Sequence, residues 1–292
     1  MSPLLYLAIP WFLVSMFVEA KLLPRASERG RDVTPYEASD TRASITMGLG
    51  NLLMSGVTRF GTLALYAVLY AHRVFEIGAG FWAWVLLFFA EDFTYYAWHR
   101  TSHEVRFMWA AHENHHSSRH FNLSTALRQS WTTPFTIPLF YFWLPFIGFR
   151  PEMLLTQMSV SLIYQYWVHT ELVGKLGPLE WILNTPSHHR VHHGANVEYL
   201  DRNHAGILIV WDRLFGTFEP ERARVVYGLT KNIETFAPLR IAFHEWAALV
   251  ADMRGARTFS DRLGYVFRPP GWSPDGSTLT ASQARARLHP NT

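Results

Sequence analysis

The sequence predicts an all-α integral-membrane fold: about four to five transmembrane or re-entrant helices, with a cytoplasmic helical cap carrying a polyhistidine dimetal site. Three observations predict it. Hydrophobic residues make up 49% of the 292 residues and charged residues only 17%, against about 25% charged in soluble domains. Apolar runs near membrane length recur through the first half of the chain. Eleven of the 15 histidines gather between His99 and His193, in groups with metal-ligand spacing. The chain reads as one domain over 1–292: transmembrane helices over 1–98, first histidine boxes over 99–131, a hydrophobic hairpin over 132–168, a C-terminal histidine box over 169–220, and a cytoplasmic cap or tail over 221–292.

The first element is 3–20, PLLYLAIPWFLVSMFVEA, apolar for close to the 20 residues a bilayer requires. No basic segment precedes it and no small-residue cleavage site follows, so it reads as a span and not a signal peptide. Five basic residues follow within 21–42. The second stretch, 45–71, contains Arg59; the third, 78–98, runs directly into His99. Basic residues favour the cytoplasmic side, and the link 72–77 carries only Arg73. The N-terminus is therefore expected outside and the metal site on the cytoplasmic side. Two short apolar arms, 132–149 and 152–168, flank Arg150-Pro151 as a kinked pair or a re-entrant hairpin. Pro178–Trp181 is expected to start a helix, and Ser187 to cap the helix carrying the last histidines. Residues 239–253 have helical apolar spacing and are expected to lie along the membrane surface. The sequence pI is about 9.2, but its basic residues form no single block, which argues against nucleic acid and for an anionic leaflet. Without cysteine the chain has no disulfide and no thiolate ligand.

The histidines fall as His99-x3-His103, His112-x2-His115-His116 and His189-x2-His192-His193. Helical residues three or four apart share a face, so each box can converge on a point. Neighbours diverge by about 100°, so the doubled histidines suggest two ions side by side, each taking one member of a pair. Imidazole suits zinc, copper, iron and nickel. Asp92 lies seven residues before His99, within about 40° of azimuth of His99 and His103, and is the candidate carboxylate for a ring nitrogen of a metal-bound histidine. His188 competes with His189, which keeps the same phase as His112 and is preferred. Asn196, Asp201 and Asn203 read as braces of the loop after the last box. His72, His120, His204, His244 and His289 read as structural.

These boxes, spread over membrane-type sequence, resemble the fatty acid hydroxylase/sterol desaturase superfamily. WVHTELV at 167–173, NTPSHHRVHHG at 184–194 and LIVWDRLFGTFEPE after it are similar to its alkylglycerol monooxygenase branch and the bacterial members of that branch. The resemblance covers roughly residues 85–220. It implies an integral-membrane, O2-dependent di-iron lipid monooxygenase in a bacterial inner membrane, with a lipid substrate and an electron donor as partners. It implies His99, His103, His112, His115, His116, His169, His189, His192 and His193 as ligands. Gln165 stands where fuller ligand sets have histidine, leaving it and His188 as possible additions. Tetrahydropterin is the reductant the branch implies; no pterin site is readable in this sequence. Zinc or nickel are expected to replace iron in purified protein, because both bind nitrogen sites more tightly than Fe(II). A desaturase of the same superfamily, a histidine-lined metal transporter and a non-catalytic lipid or metal sensor are the other readings. Transporters set ionisable groups at mid-membrane in broken helices, whereas these histidines fall past the expected helix ends.

Overall fold

The computed structural model describes residues 3–288, all helical and without a β-strand among them. Helix α1 (Pro3–Glu28) outruns the expected 3–20 because Leu23 and Ala26, past the apolar run, are buried against Val33, Tyr36 and Leu172. Glu19 is buried and accepts from the Tyr36 hydroxyl (2.5 Å), the Leu123 amide (2.7 Å) and the Thr170 hydroxyl. Helix α2 (Ala38–Ala71) begins before the expected 45. Glu37 caps it, accepting from Asp40 N at 2.6 Å. Its 34 residues amount to about 51 Å at 1.5 Å per residue, longer than a hydrocarbon core of about 30 Å, so one end extends beyond the apolar zone. That end carries buried Asp40 and Ser44, both bonded to Arg128, with Arg128 Nη2 at 2.5 Å from Asp40 Oδ1 and Nε at 3.1 Å from Ser44 Oγ.

Helix α3 (Phe81–Glu104) follows. Among the described residues, α1 and α2 are the helices long and apolar enough to cross a membrane; α3, expected as a third span, does not meet that measure. It buries Glu91, Asp92, His99 and His103 among its neighbours. Two short helices, α4 (Arg106–Ala110) and α5 (Glu113–His116), carry the second box. The first hairpin arm is broken into α6 (Thr133–Thr136), α7 (Pro138–Tyr141) and α8 (Trp143–Ile147). Pro134, Pro138 and Pro145 remove backbone donors there, and proline fits only the first turn of a helix. At the end of α8, Gly148 has φ +128°, and a Cβ there would lie 2.2 Å from the Phe75 carbonyl oxygen. Helix α9 (Pro151–Trp167) returns toward the histidines, packed in a core with Tyr66, Leu87, Leu144 and Leu154.

Pro178–Trp181 forms a 3-10 turn, not the helix expected there. Helix α10 (Pro186–His192) has Thr185 at its N-cap. Ser187, expected in that role, lies inside the helix and donates to Glu180 Oε1 at 2.6 Å. Helix α11 (Val210–Phe215) closes the histidine region. Helices α12 (Pro238–Gly255), α13 (Phe259–Phe267) and α14 (Ala281–Leu288) complete the chain. Leu239, Phe243 and Val250 of α12 are exposed at helical spacing.

Candidate metal centre

The boxes bring nine imidazoles into two groups. His99, His103, His112, His116 and His192 form one, and His115, His169, His189 and His193 form the other, with donor atoms in each group lying within 4.8 Å of one another. The neighbours His115 and His116 fall into different groups, as do His192 and His193. Residues four apart stay together (99/103, 112/116, 189/193), while those three apart (112/115, 189/192) are divided. Each HxxHH box therefore serves both positions and does not converge on one. His112 does so from outside a helix: it is the N-cap of α5, with φ −133°.

The ring orientations fit metal ions. Nδ1 of His99 faces the His204 carbonyl (2.8 Å), that of His115 the Arg128 carbonyl (3.3 Å), that of His169 the Gln165 carbonyl (2.8 Å) and that of His192 the Arg202 carbonyl (3.0 Å). A carbonyl only accepts, so each of these Nδ1 atoms carries the proton and each Nε2 presents a lone pair. Yet His115 Nε2 and His169 Nε2 approach to 3.3 Å. Two lone pairs facing at that distance repel unless a cation lies between them. His103 Nε2 and His192 Nε2 are buried without hydrogen-bond partners, in the same sense. Burial and the neighbouring rings push the imidazoles of His112, His115, His116, His189, His192 and His193 well below the ordinary histidine value. Burial lowers His169 to about 4. All are thus neutral at pH 7, the form that binds metal.

Asp92 does not take the role expected of it. Its Oδ1 accepts from Ile207 N (2.8 Å), and its Oδ2 from Leu208 N (3.0 Å) and the Trp211 indole (2.9 Å). The returning segment 207–211 saturates this carboxylate, and main-chain carbonyls serve the histidines in its place. The carboxylate that does stand beside a histidine of the two groups is Asp201, its Oδ1 3.5 Å from His103 Nδ1. His188 points away from both groups, toward Phe218 and toward Glu180 Oε2 at 3.9 Å. The Gln165 side-chain amide donates to Ser161 Oγ at 2.9 Å, beside the four-histidine group. Asn203 braces its loop, donating to the carbonyls of His188 and Glu219 and accepting from Glu219 N. Asn196 does likewise toward Arg224 and Val226.

Of the histidines read as structural, His72 and His120 bond to the carbonyls of Val68 and Pro35. His244 lies 3.4 Å from Glu113, beside Glu245, which Arg106 already holds at 2.7 Å. His289 lies outside the described residues. His204 is fully buried, with its ring centroid 5.0 Å from that of His103 and 5.7 Å from that of His192, a proximity that the structural reading did not foresee. Its isolation from the boxes in sequence concealed this. Asp212, also unforeseen, accepts from His204 N and Ala205 N, both at 2.8 Å. Its only sequence signal is a charged residue within an apolar stretch.

A cavity of about 460 Å³ opens beside the four-histidine group. His115, His169 and His189 of that group and His112 of the five-histidine group line it, and α1, α2 and α9 contribute apolar walls that include Ile9, Leu13 and Leu162. Of its lining residues, Leu13 on α1, Leu49 on α2 and Leu162 on α9 are also exposed at the outer surface.

Residues 84–217 match the fatty acid hydroxylase family. Alkylglycerol monooxygenase of Xenopus tropicalis is 43% identical over 242 residues, 82% of this chain and 54% of that protein. The Homo sapiens alkylglycerol monooxygenase is 41% identical over 278 residues, 94% of this chain and 61% of that protein. Ornithine lipid hydroxylase OlsE of Rhizobium tropici is 30% identical over 145 residues, 49% of this chain and 44% of that protein. The chain spans between 54% and 61% of the length of the first two relatives. No solved structure matches it. The segment that holds the histidine boxes thus carries the fatty acid hydroxylase match, and the chain is a homologue of the alkylglycerol monooxygenases.

Proposed function

We propose that the chain is a membrane-bound, O2-dependent di-iron monooxygenase that hydroxylates a lipid C–H bond. The observation that carries this reading is the opening of the four-histidine group onto an apolar cavity walled by the membrane-type helices. An alkyl chain can enter there without crossing water. The nine boxed imidazoles, including His169, would hold two ions. Neutral donors leave the pair strongly positive, unlike carboxylate-bridged di-iron sites in soluble bundles. Iron bound there supplies the stepwise reduction of O2 and the insertion of one oxygen atom into C–H. The balance is R–H + O2 + 2 e⁻ + 2 H⁺ → R–OH + H2O, so an external reductant is required. A tetrahydropterin is the proposed donor, following the resemblance to the alkylglycerol branch.

The chain's own residues do the positioning. Carbonyls of Arg128, Gln165, Arg202 and His204 fix four rings with Nε2 inward. The walls of the cavity exclude water from the reacting carbon. The favoured substrate is an ether lipid. Hydroxylation of the carbon next to the ether oxygen gives a hemiacetal, which collapses to an aldehyde and an alcohol. In the proposed topology the N-terminus is outside and the histidine cap faces the cytoplasm, supported by the five basic residues of 21–42 against Arg73 alone in 72–77.

The test is lipid profiling of a host expressing the wild-type chain or His115→Ala, with an alkylglycerol and tetrahydropterin supplied. Aldehyde release by wild type alone supports ether cleavage. Oxygen addition to another lipid class, with no action on ether lipid, refutes the substrate but keeps the enzyme class. No oxidised lipid from iron-loaded protein refutes the class.

A further inference from the structure

His204 has no function in the reading above. Its side chain is completely buried, and neither ring nitrogen makes a hydrogen bond of good geometry. Even with the Asp201 main chain as a poorly aligned acceptor for one nitrogen, the other has no partner, and a ring left this way in a built interior marks a missing one. The surroundings are built. Asp212 receives the amides of His204 and Ala205, Asn203 ties the preceding residue to His188 and Glu219, and Asp92 holds Ile207 and Leu208. Three buried polar side chains thus fix six residues of irregular chain, and what they hold against the five-histidine group is this imidazole.

Its ring centroid lies 5.0, 5.7 and 5.8 Å from those of His103, His192 and His99. Ring centroids within the five-histidine group are 4.3 Å apart for His99 and His192 and 5.4 Å apart for His99 and His103. His204 is therefore spaced nearly as a member, although its nitrogens stand outside the tight cluster of five. The His204 carbonyl meanwhile accepts from His99 Nδ1, so main chain and side chain of one residue face the same group.

We propose that His204 is a sixth imidazole ligand of the five-histidine position, closing its coordination. The four-histidine position, which faces the cavity, is then the one with open coordination. The inference rests on the two-ion reading of the boxes. It makes the centre asymmetric: a position closed by six imidazoles, of which His112 alone lines the cavity, and an open one with three cavity-lining ligands, the distinction that separates structural from catalytic zinc sites.

The experiment uses the full chain in detergent, stripped of metal and loaded with Co(II) under exclusion of air. Co(II) absorbs weakly when six-coordinate and several-fold more strongly with fewer ligands. Wild type, His204→Phe and His204→Gly are compared, each also on a His193→Ala background that weakens the four-histidine position. The expected result is retained binding at the five-histidine position, a several-fold rise in absorption in the His204 variants, and loss of that ion to chelator at least about tenfold faster. Added imidazole should return His204→Gly to the wild-type spectrum, since it can refill the space. Faster metal loss with an unchanged spectrum and no effect of imidazole would mean that His204 only braces the loop, overturning the proposal. A His204 variant as slow as wild type with the same spectrum overturns it too. Wild-type chain that takes up no Co(II) would overturn the metal centre itself, and His204's role with it. If His204→Phe fails to fold, the rescue of His204→Gly decides.

Discussion

Replacing Asp40 by leucine should destabilise the chain far more than a surface substitution and should disturb the four-histidine group from a distance. Arg128 is 1% exposed and Asp40 3%. The guanidinium donates to Asp40 Oδ1 (2.5 Å), the Asp40 carbonyl (3.0 Å), Ser44 Oγ and Ser117 Oγ. The second Asp40 oxygen accepts from Ser118 at 2.6 Å. Asp40→Leu strands a buried cation, which costs about 3–5 kcal/mol. At about 2–4 °C per kcal/mol for a domain of around this size, the apparent melting temperature should fall by roughly 6–20 °C. Since the carbonyl of Arg128 orients His115, metal content should fall toward one ion per chain. The comparison is Asp40→Leu, Arg128→Met and the double variant, melted in one detergent at one scan rate. Apolar replacement of both partners of a buried pair is often neutral, so the double variant should regain most of the loss. A double variant losing the sum of the two single losses would show no coupling and would refute the reasoning, as would an unchanged melting temperature in Asp40→Leu.

Four further outcomes are expected. His115→Ala and His116→Ala should each leave about one ion per chain, but at different positions, so their residual Co(II) spectra should differ; identical spectra would contradict the division of the pair. Gln165→His, beside the four-histidine group, should slow loss of that ion to a chelator about tenfold, and unaltered release would count against its proximity. Metal-free protein should lose stability on acidification. His169 titrates near 4 when folded and near 6.5 when unfolded, so between those values the unfolded chain binds more protons. Stability is then full above about 6.5, falls as the pH drops toward 4, and does not recover below. A melting temperature flat from pH 7 to 4.5 would contradict this. Asp212→Asn offers two backbone amides a carboxamide with one acceptor oxygen; it should cost about 2–4 kcal/mol and release metal first from the five-histidine position, as read by chelation kinetics.

The grouping of the histidines was legible because helix geometry links residues four apart, as 99/103, 112/116 and 189/193 demonstrate. The division of each box was legible too, from the divergence of adjacent residues. The partners of the rings were not. A main-chain carbonyl has no sequence signature, so Asp92, the visible carboxylate at the right azimuth, was the natural choice and proved to hold segment 207–211 instead. His204 was hidden for the related reason that its approach depends on Asp212 and Asn203 folding an irregular loop. Hydropathy also misjudged where helices end. It ended α1 at 20 and began α2 at 45, because it cannot register that Leu23 and Ala26 pack against Val33 or that Asp40 meets Arg128 in the folded chain. The three prolines of 132–149 announced interruptions, though not that three short helices would result.

Because backbone oxygens hold the His99, His115, His169 and His192 rings in orientation, the centre has an uneven tolerance of genetic change. The side chain at residue 165 or 202 can be exchanged without removing the acceptor that its carbonyl supplies. Deleting or inserting one residue there shifts the carbonyl out from under the imidazole. A library of substitutions should therefore find few sensitive sites of this kind between the boxes, whereas a library of single-codon insertions and deletions should find almost every junction intolerant. Loop length around this centre is held more tightly than loop composition.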